Sequence, residues 1–179
     1  MKLLAISGSL RASSLNTCVL HAARSLAPAG VEIELFEAID KLPFFNSDLE
    51  SEHLPAQVVR FRAVIGAADG LLISSPEYAR GVSGVMKNAL DWLVGSEDFP
   101  GKPVALINTS PRATHALAAL TLTLETMSAR LIKDASITLA LLGTTHDAGS
   151  IAADPELAGA LRSALEHFVR GINAYNSSA

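Results

Sequence analysis

A parallel α/β sheet with helices on both faces is predicted by three features of this 179-residue sequence. Short apolar runs alternate strictly with segments of helical period. The runs are rich in Val, Ile and Leu without a polar face, as strands buried on both sides are. Gly, Pro or Ser bounds each run, and strict strand–helix alternation implies parallel pairing.

Residues 2–7 form the first strand, through Leu3, Leu4, Ala5 and Ile6; this apolar run is too short for a signal-peptide core. Ser13 or Ser14 then caps a helix over about 14–27. In the second strand, 31–36, Glu32 and Glu34 alternate with apolar residues and mark an exposed sheet edge. A helix over 54–67 leads to the third strand, 69–74. Val82, Val85, Met86, Ala89, Leu90 and Leu93 then recur at helical spacing, leaving Lys87, Asn88, Asp91 and Trp92 off the buried stripe. An exposed Trp92 fits an oligomer contact; the alternative is packing on a neighbouring helix. The fourth strand is 103–108, followed by a helix over 113–128. Ile137, Leu139 and Leu141 alternate with smaller residues and place a fifth strand near 136–141. A helix over 155–174 closes the chain, with 176–179 frayed. No linker, repeat or composition shift divides 1–179, so a single domain is expected.

Composition narrows the function classes. A net charge of -4 and a pI near 5.7 give no bulk attraction to nucleic acid or to an anionic membrane surface. Cys18 is the sole cysteine, which excludes an intrachain disulfide and any zinc site needing two thiolates and suits a cytoplasmic location. The five histidines, His21, His53, His115, His146 and His167, lack ligand spacing, so no metal is expected. The segment 95–103 imitates a nucleotide-phosphate loop but has one residue too many between its glycines and Pro103 where a magnesium ligand belongs. Ser83 has no matched His–Asp pair, which argues against a serine hydrolase.

Three polar loops carry chemistry. After the first strand, Ser9, Arg11, Ser14, Leu15 and Asn16 stand where a helix begins and its backbone N–H groups lack partners, a setting for a phosphate monoester. A helix cap alone explains the serines, but it needs no guanidinium at the positive end of the helix dipole. Leu10 and Arg11 occupy positions where a dinucleotide loop has glycine, so one phosphate fits better than two. After the third strand come Pro76, Glu77 and Tyr78; after the fourth, Asn108-Thr109-Ser110-Pro111-Arg112. With strand order 2-1-3-4-5, the flavodoxin-like arrangement, these loops meet where strands 1 and 3 part; order 3-2-1-4-5-6 pairs loops 1 and 4 instead.

Pro76-Glu77-Tyr78 with Lys87-Asn88-Ala89-Leu90-Asp91-Trp92 nine residues on, together with Gly8-Ser9-Leu10-Arg11 and Ser14-Leu15-Asn16, resembles the NAD(P)H-dependent FMN reductases, which include quinone, chromate and azo-dye reductases. The resemblance spans essentially the whole chain, and Leu42-Pro43-Phe44-Phe45-Asn46 also fits it. It implies FMN as cofactor, with phosphate held by Ser9, Arg11, Ser14, Leu15 and Asn16, and Pro76, Glu77 and Tyr78 lying against the isoalloxazine ring. It further implies NAD(P)H as electron donor, a small-molecule acceptor such as a quinone, a ping-pong cycle carried by the flavin without a protein nucleophile, and a homodimer or homotetramer. Two departures stand out. Ala79 occupies a ring-loop position where the family usually has Asn, and Ser110 to Arg112 replace a glycine-rich third loop. Arg112 is left with two roles, at the pyrimidine oxygens of the ring or at a phosphate of the incoming nucleotide. The rival reading is a flavodoxin-like FMN carrier that nicotinamide does not reduce.

Overall fold

The computed structural model describes residues 1–177. In chain order its elements are β1 (Lys2–Ser7), α1 (Leu15–Ser25), β2 (Glu32–Leu35), α2 (Ser47–Glu52), α3 (Ala56–Ala67), β3 (Gly70–Ser74) and the hairpin strands β4 (Glu77–Tyr78) and β5 (Gly81–Val82). There follow α4 (Gly84–Asp91), β6 (Pro103–Asn108), α5 (Thr114–Thr126), β7 (Arg130–Leu131), β8 (Ile137–Thr138), α6 (Ala148–Ala153) and α7 (Pro155–Asn176). The frayed end expected from 176 is still helical at Asn176, and residues 178–179 lie outside the described residues.

The sheet order is β2-β1-β3-β6-β7, with β8 also paired to β6, and every pairing in it is parallel. This is the flavodoxin-like order, and β1 and β3 sit at its switch point. Strand side chains alternate between two cores. Leu4, Ile6, Leu71, Ile73, Val104 and Leu106 face α3, α4 and α5 around Phe61, Trp92 and Phe99. Leu3, Ala5, Leu72, Ala105 and Ile107 face α1, α6 and α7 around Leu20, Leu165 and Phe168. Both faces of each central strand are therefore apolar, as the unbroken runs predict.

Four expectations are corrected. The fifth strand is not continuous over 136–141: β7 pairs with the start of β6, β8 with its end, and a 3-10 turn at Lys133–Ala135 separates them. Across that gap the Ser136 hydroxyl accepts from the Leu106 N–H at 3.1 Å, so a side chain replaces the missing ladder bond. Val82 belongs to the β4–β5 hairpin, and α4 starts only at Gly84. Two short helices, α2 and α6, were not foreseen. Trp92 is fully buried rather than exposed, so it makes no oligomer contact; its indole N–H donates to Pro43 O at 2.7 Å and its ring meets Phe45 edge-on at 5.0 Å. Asn88 completes the clamp, accepting from Phe45 N at 2.8 Å and donating to Pro43 O at 2.9 Å.

Candidate functional site

The first strand leaves the sheet at Ser7 and must turn at once beside the end of β3. Gly8 permits this approach: a Cβ there lies 2.9 Å from Ser75 Cβ. The turn is locked by the Gly8 N–H donating to Ser74 O at 2.8 Å and by the Ser83 hydroxyl donating to Gly8 O at 2.6 Å. Ser83 thus joins the two loops and is no nucleophile.

Beyond the turn, the chain reaches the N-terminus of α1. Ser14 is the N-cap, its Oγ accepting from Thr17 N at 3.4 Å, and no acidic residue occupies the first turn. The N–H groups of Leu15 and Asn16 have no intrahelical acceptor. Ser9 Oγ accepts from Arg11 N at 3.4 Å, and Ser110 Oγ from Arg112 N at 3.2 Å. A common pattern results: Ser9, Ser14 and Ser110 each satisfy a backbone donor and keep their own hydroxyl proton for an acceptor in the cavity. Asn16 is the junction of three loops. Its side-chain oxygen accepts from the buried Ser74 hydroxyl at 2.9 Å and from Thr109 Oγ1 at 3.3 Å, leaving the amide N–H groups as its donors.

The opposite wall is Pro76–Tyr78. Glu77 is spent within the protein: its carboxylate accepts from Ala116 N at 2.8 Å in the first turn of α5, whose N-cap position, Ala113, offers no side-chain bond. One helix start at this crevice is thus neutralised by Glu77, while that of α1 is left without an anion. Asn108 shapes the third loop, donating to Ser110 O at 2.7 Å and accepting from Ser110 N at 3.3 Å.

These loops enclose a cavity of about 610 Å³. Ser9, Arg11, Ser14, Leu15 and Asn16 line one side, Pro76, Glu77 and Tyr78 another, and Ser110 and Arg112 a third. Ala79 is not among the lining residues, for a plain reason. Ala79 and Arg80 form the tip of the β4–β5 hairpin with φ of 50° and 60°, the left-handed pair that a two-residue turn of this twist demands, which carries them past the wall. A fourth wall was missed in the sequence: Leu142, Gly143, Thr144, Thr145 and His146, after β8. Its signal was positional, since ligands collect at the carboxyl ends of parallel strands and this segment follows the last of them.

The electrostatics oppose those of the whole chain. Arg11 and Arg112 have no ion-pair partner among the described residues, and the one carboxylate in the lining is Glu77. No cluster of metal-ligating side chains occurs among the described residues. A single phosphate monoester with a planar ring fits this arrangement: hydroxyl, amide and guanidinium donors converge at a free helix start, beside a proline–tyrosine wall. The cavity size is that of ordinary cofactor sites, roughly 300–1,000 Å³. FMN therefore fits the residues present.

An NAD(P)H-dependent FMN reductase of Pseudomonas aeruginosa is 44% identical over 112 residues, 62% of this chain and 60% of that protein. A 2-hydroxy-1,4-benzoquinone reductase of a Burkholderia species is 42% identical over 113 residues, 62% and 61% of the two chains. The chain thus spans about 60% of the length of these curated relatives. Among solved structures, the flavoenzyme NAD(P)H:(acceptor) oxidoreductase FerB of Paracoccus denitrificans superposes with a TM-score of 0.77 and 30% identity over 97% of both chains. The profile of the NADPH-dependent FMN reductases matches residues 1–140, a span that includes the phosphate-type cradle, the proline–tyrosine wall and the Ser110–Arg112 loop, and the chain belongs to that family.

Proposed function

We propose that residues 1–179 form one FMN-binding domain that transfers electrons from NAD(P)H to a quinone or similar small acceptor in a ping-pong cycle. The observation that carries this reading is the α1 start: the Ser9 and Ser14 hydroxyls, free N–H groups and Arg11 face a Pro76–Tyr78 wall across one cavity. When bound, FMN supplies the two-electron chemistry. The protein's part is to hold and orient it. Ser9, Ser14 and the Leu15 and Asn16 N–H groups donate to the phosphate, and Arg11 balances its charge. Pro76 and Tyr78 back the ring, while Glu77 fixes that wall by its bond to α5. Arg112, exposed at the rim, offers a second positive charge to the incoming nucleotide or the ring edge. Donor and acceptor use the site in turn.

The names of the relatives support the donor and the acceptor class. A cytoplasmic setting suits a chain with one free cysteine and, among the described residues, no helix long and apolar enough to cross a membrane. A homodimer or homotetramer belongs to the same reading, on the resemblance to the family alone. The test is a visible spectrum of the purified protein with FMN, then with NADPH and NADH without oxygen. Flavin bands that bleach are expected. Bound flavin that stays yellow with both nucleotides overturns the reductase in favour of a carrier, and absence of binding overturns both.

A further inference from the structure

We propose that His146 is a catalytic residue that delivers a proton through Nε2 to an oxygen of the electron acceptor. The assignment rests on the reductase reading above and adds the proton source that reading lacks. A quinone that takes a hydride receives two electrons and one hydrogen, and it needs one further proton to become a hydroquinone. The balance is NAD(P)H, a proton and quinone giving NAD(P)⁺ and hydroquinone. In the proposed step the Nε2–H bond of the imidazolium breaks, an O–H bond forms on the acceptor, and the neutral ring regains its proton from solvent.

The lining of the cavity leaves little choice of donor. Its other titratable or charged side chains are Arg11 on the β1 loop, Glu77 and Tyr78 on β4, and Arg112 on the β6 loop. The guanidinium groups do not release their protons, and a carboxylate at neutral pH has already lost its own. The Tyr78 phenol, though it can donate, would be left as a strong base far from its range at neutral pH, and it belongs to the ring wall. Glu77 is also engaged by the Ala116 N–H. Imidazole is the side-chain type that exchanges a proton near pH 7.

The local hydrogen bonds prepare the ring for this role. Ser150 closes a capping box with Asp147: its hydroxyl oxygen accepts from Asp147 N at 2.9 Å, and its proton goes to the Asp147 carboxylate, also at 2.9 Å. His146 Nδ1 lies 3.3 Å from the same Ser150 oxygen. A hydroxyl has one proton, and the carboxylate is both the nearer and the stronger acceptor. Nδ1 must therefore carry a hydrogen and donate to Ser150, which leaves Nε2 as the nitrogen that gains and loses a proton. Asp147, adjacent in sequence, places a negative charge near the imidazolium form. The same Ser150 bonds hold the Asp147 carboxyl below its ordinary range, so it stays ionised while the ring cycles.

The experiment has two parts, both on the full chain loaded with FMN. In ¹⁵N-histidine NMR above the imidazole titration, neutral His146 is expected with its hydrogen on Nδ1, and Ser150→Ala is expected to move it to Nε2; an Nε2–H tautomer in the unaltered protein overturns the proposal. The second part compares benzoquinone with ferricyanide, an acceptor that takes electrons without protons. In His146→Gln the ratio of quinone rate to ferricyanide rate should fall on the order of 10²-fold, the scale of general acid catalysis. An unchanged ratio overturns the proton donor alone, whereas an unaltered protein that reduces neither acceptor overturns the reductase reading and this assignment together.

Discussion

Arg11 and Asn16 show how single side chains divide the work of the cradle. Arg11 is exposed and free of ion pairs among the described residues, so its charge is available to a ligand and contributes little to the fold. Arg11→Ala should weaken FMN binding by about 1.5–3 kcal/mol, the scale of a charge-assisted hydrogen bond, with little change in melting temperature; flavin fluorescence quenching measures the first. Asn16 works in both directions. Asn16→Leu strands the buried Ser74 hydroxyl and should cost about 1–3 kcal/mol in denaturant unfolding. Asn16→Asp keeps that acceptor but puts a negative charge in the cradle, so it should abolish FMN binding while retaining most of the stability. The cradle residues were legible because serine, asparagine and arginine at a strand-to-helix turn have few other uses together. Ala79 was grouped with them because its neighbours in sequence line the cavity, whereas the two-residue hairpin tip holds it outside that lining. His146 was passed over because a lone histidine has no spacing to read; its partner Ser150 enters only through a helix cap.

At the scale of elements, the β4–β5 hairpin sets the second wall. Its turn needs two left-handed residues, and this chain supplies Ala79 and Arg80 where Asn and Gly are the usual choices. Replacing Ala79 by Gly should relieve about 1 kcal/mol of backbone strain. For a chain of this size that raises the melting temperature by roughly 2–4 °C, as calorimetry would detect. The hairpin was invisible to sequence reading for the same reason: no turn residue announces it. The long helices and the strands β1, β2, β3 and β6 were legible because period and length agree over many residues. The fifth strand was not, since Ile137, Leu139 and Leu141 show the alternation of a strand while only Ile137 of the three, with Thr138 beside it, pairs with β6 in register. The Lys87–Trp92 motif was recognised, but its use was not: Asn88 and Trp92 reach across to Pro43 and Phe45, a contact between segments more than 40 residues apart that no local pattern encodes.

Over the whole molecule, charge is arranged against its own sum: a chain of net charge -4 gathers at one cavity two arginines that have no ion-pair partner among the described residues. That separation steers anionic cofactor and nucleotide to a single place and should make association slow with added salt. Stability has a second electrostatic handle in Lys102. Its ammonium donates to Ala68 O at 2.8 Å and Gly66 O at 3.2 Å at the end of α3, and burial lowers its pKa below 10.5. Between the lowered folded value and 10.5, the unfolded chain holds more protons than the folded one. Stability therefore gains a rising contribution with pH in that window. Lys102→Met should remove this contribution from denaturant-unfolding free energies followed through the alkaline range. Finally, the interrupted strand has a bearing on solubility. A parallel sheet ends in two rows of unpaired peptide groups that invite another chain to stack on them. Here one border carries Glu32 and Glu34 pointing to solvent, and the other is cut into two-residue pieces by the turn around Ser136. Neither border offers a long, uncharged template, so the protein is guarded at both ends of its sheet against fibril-like growth.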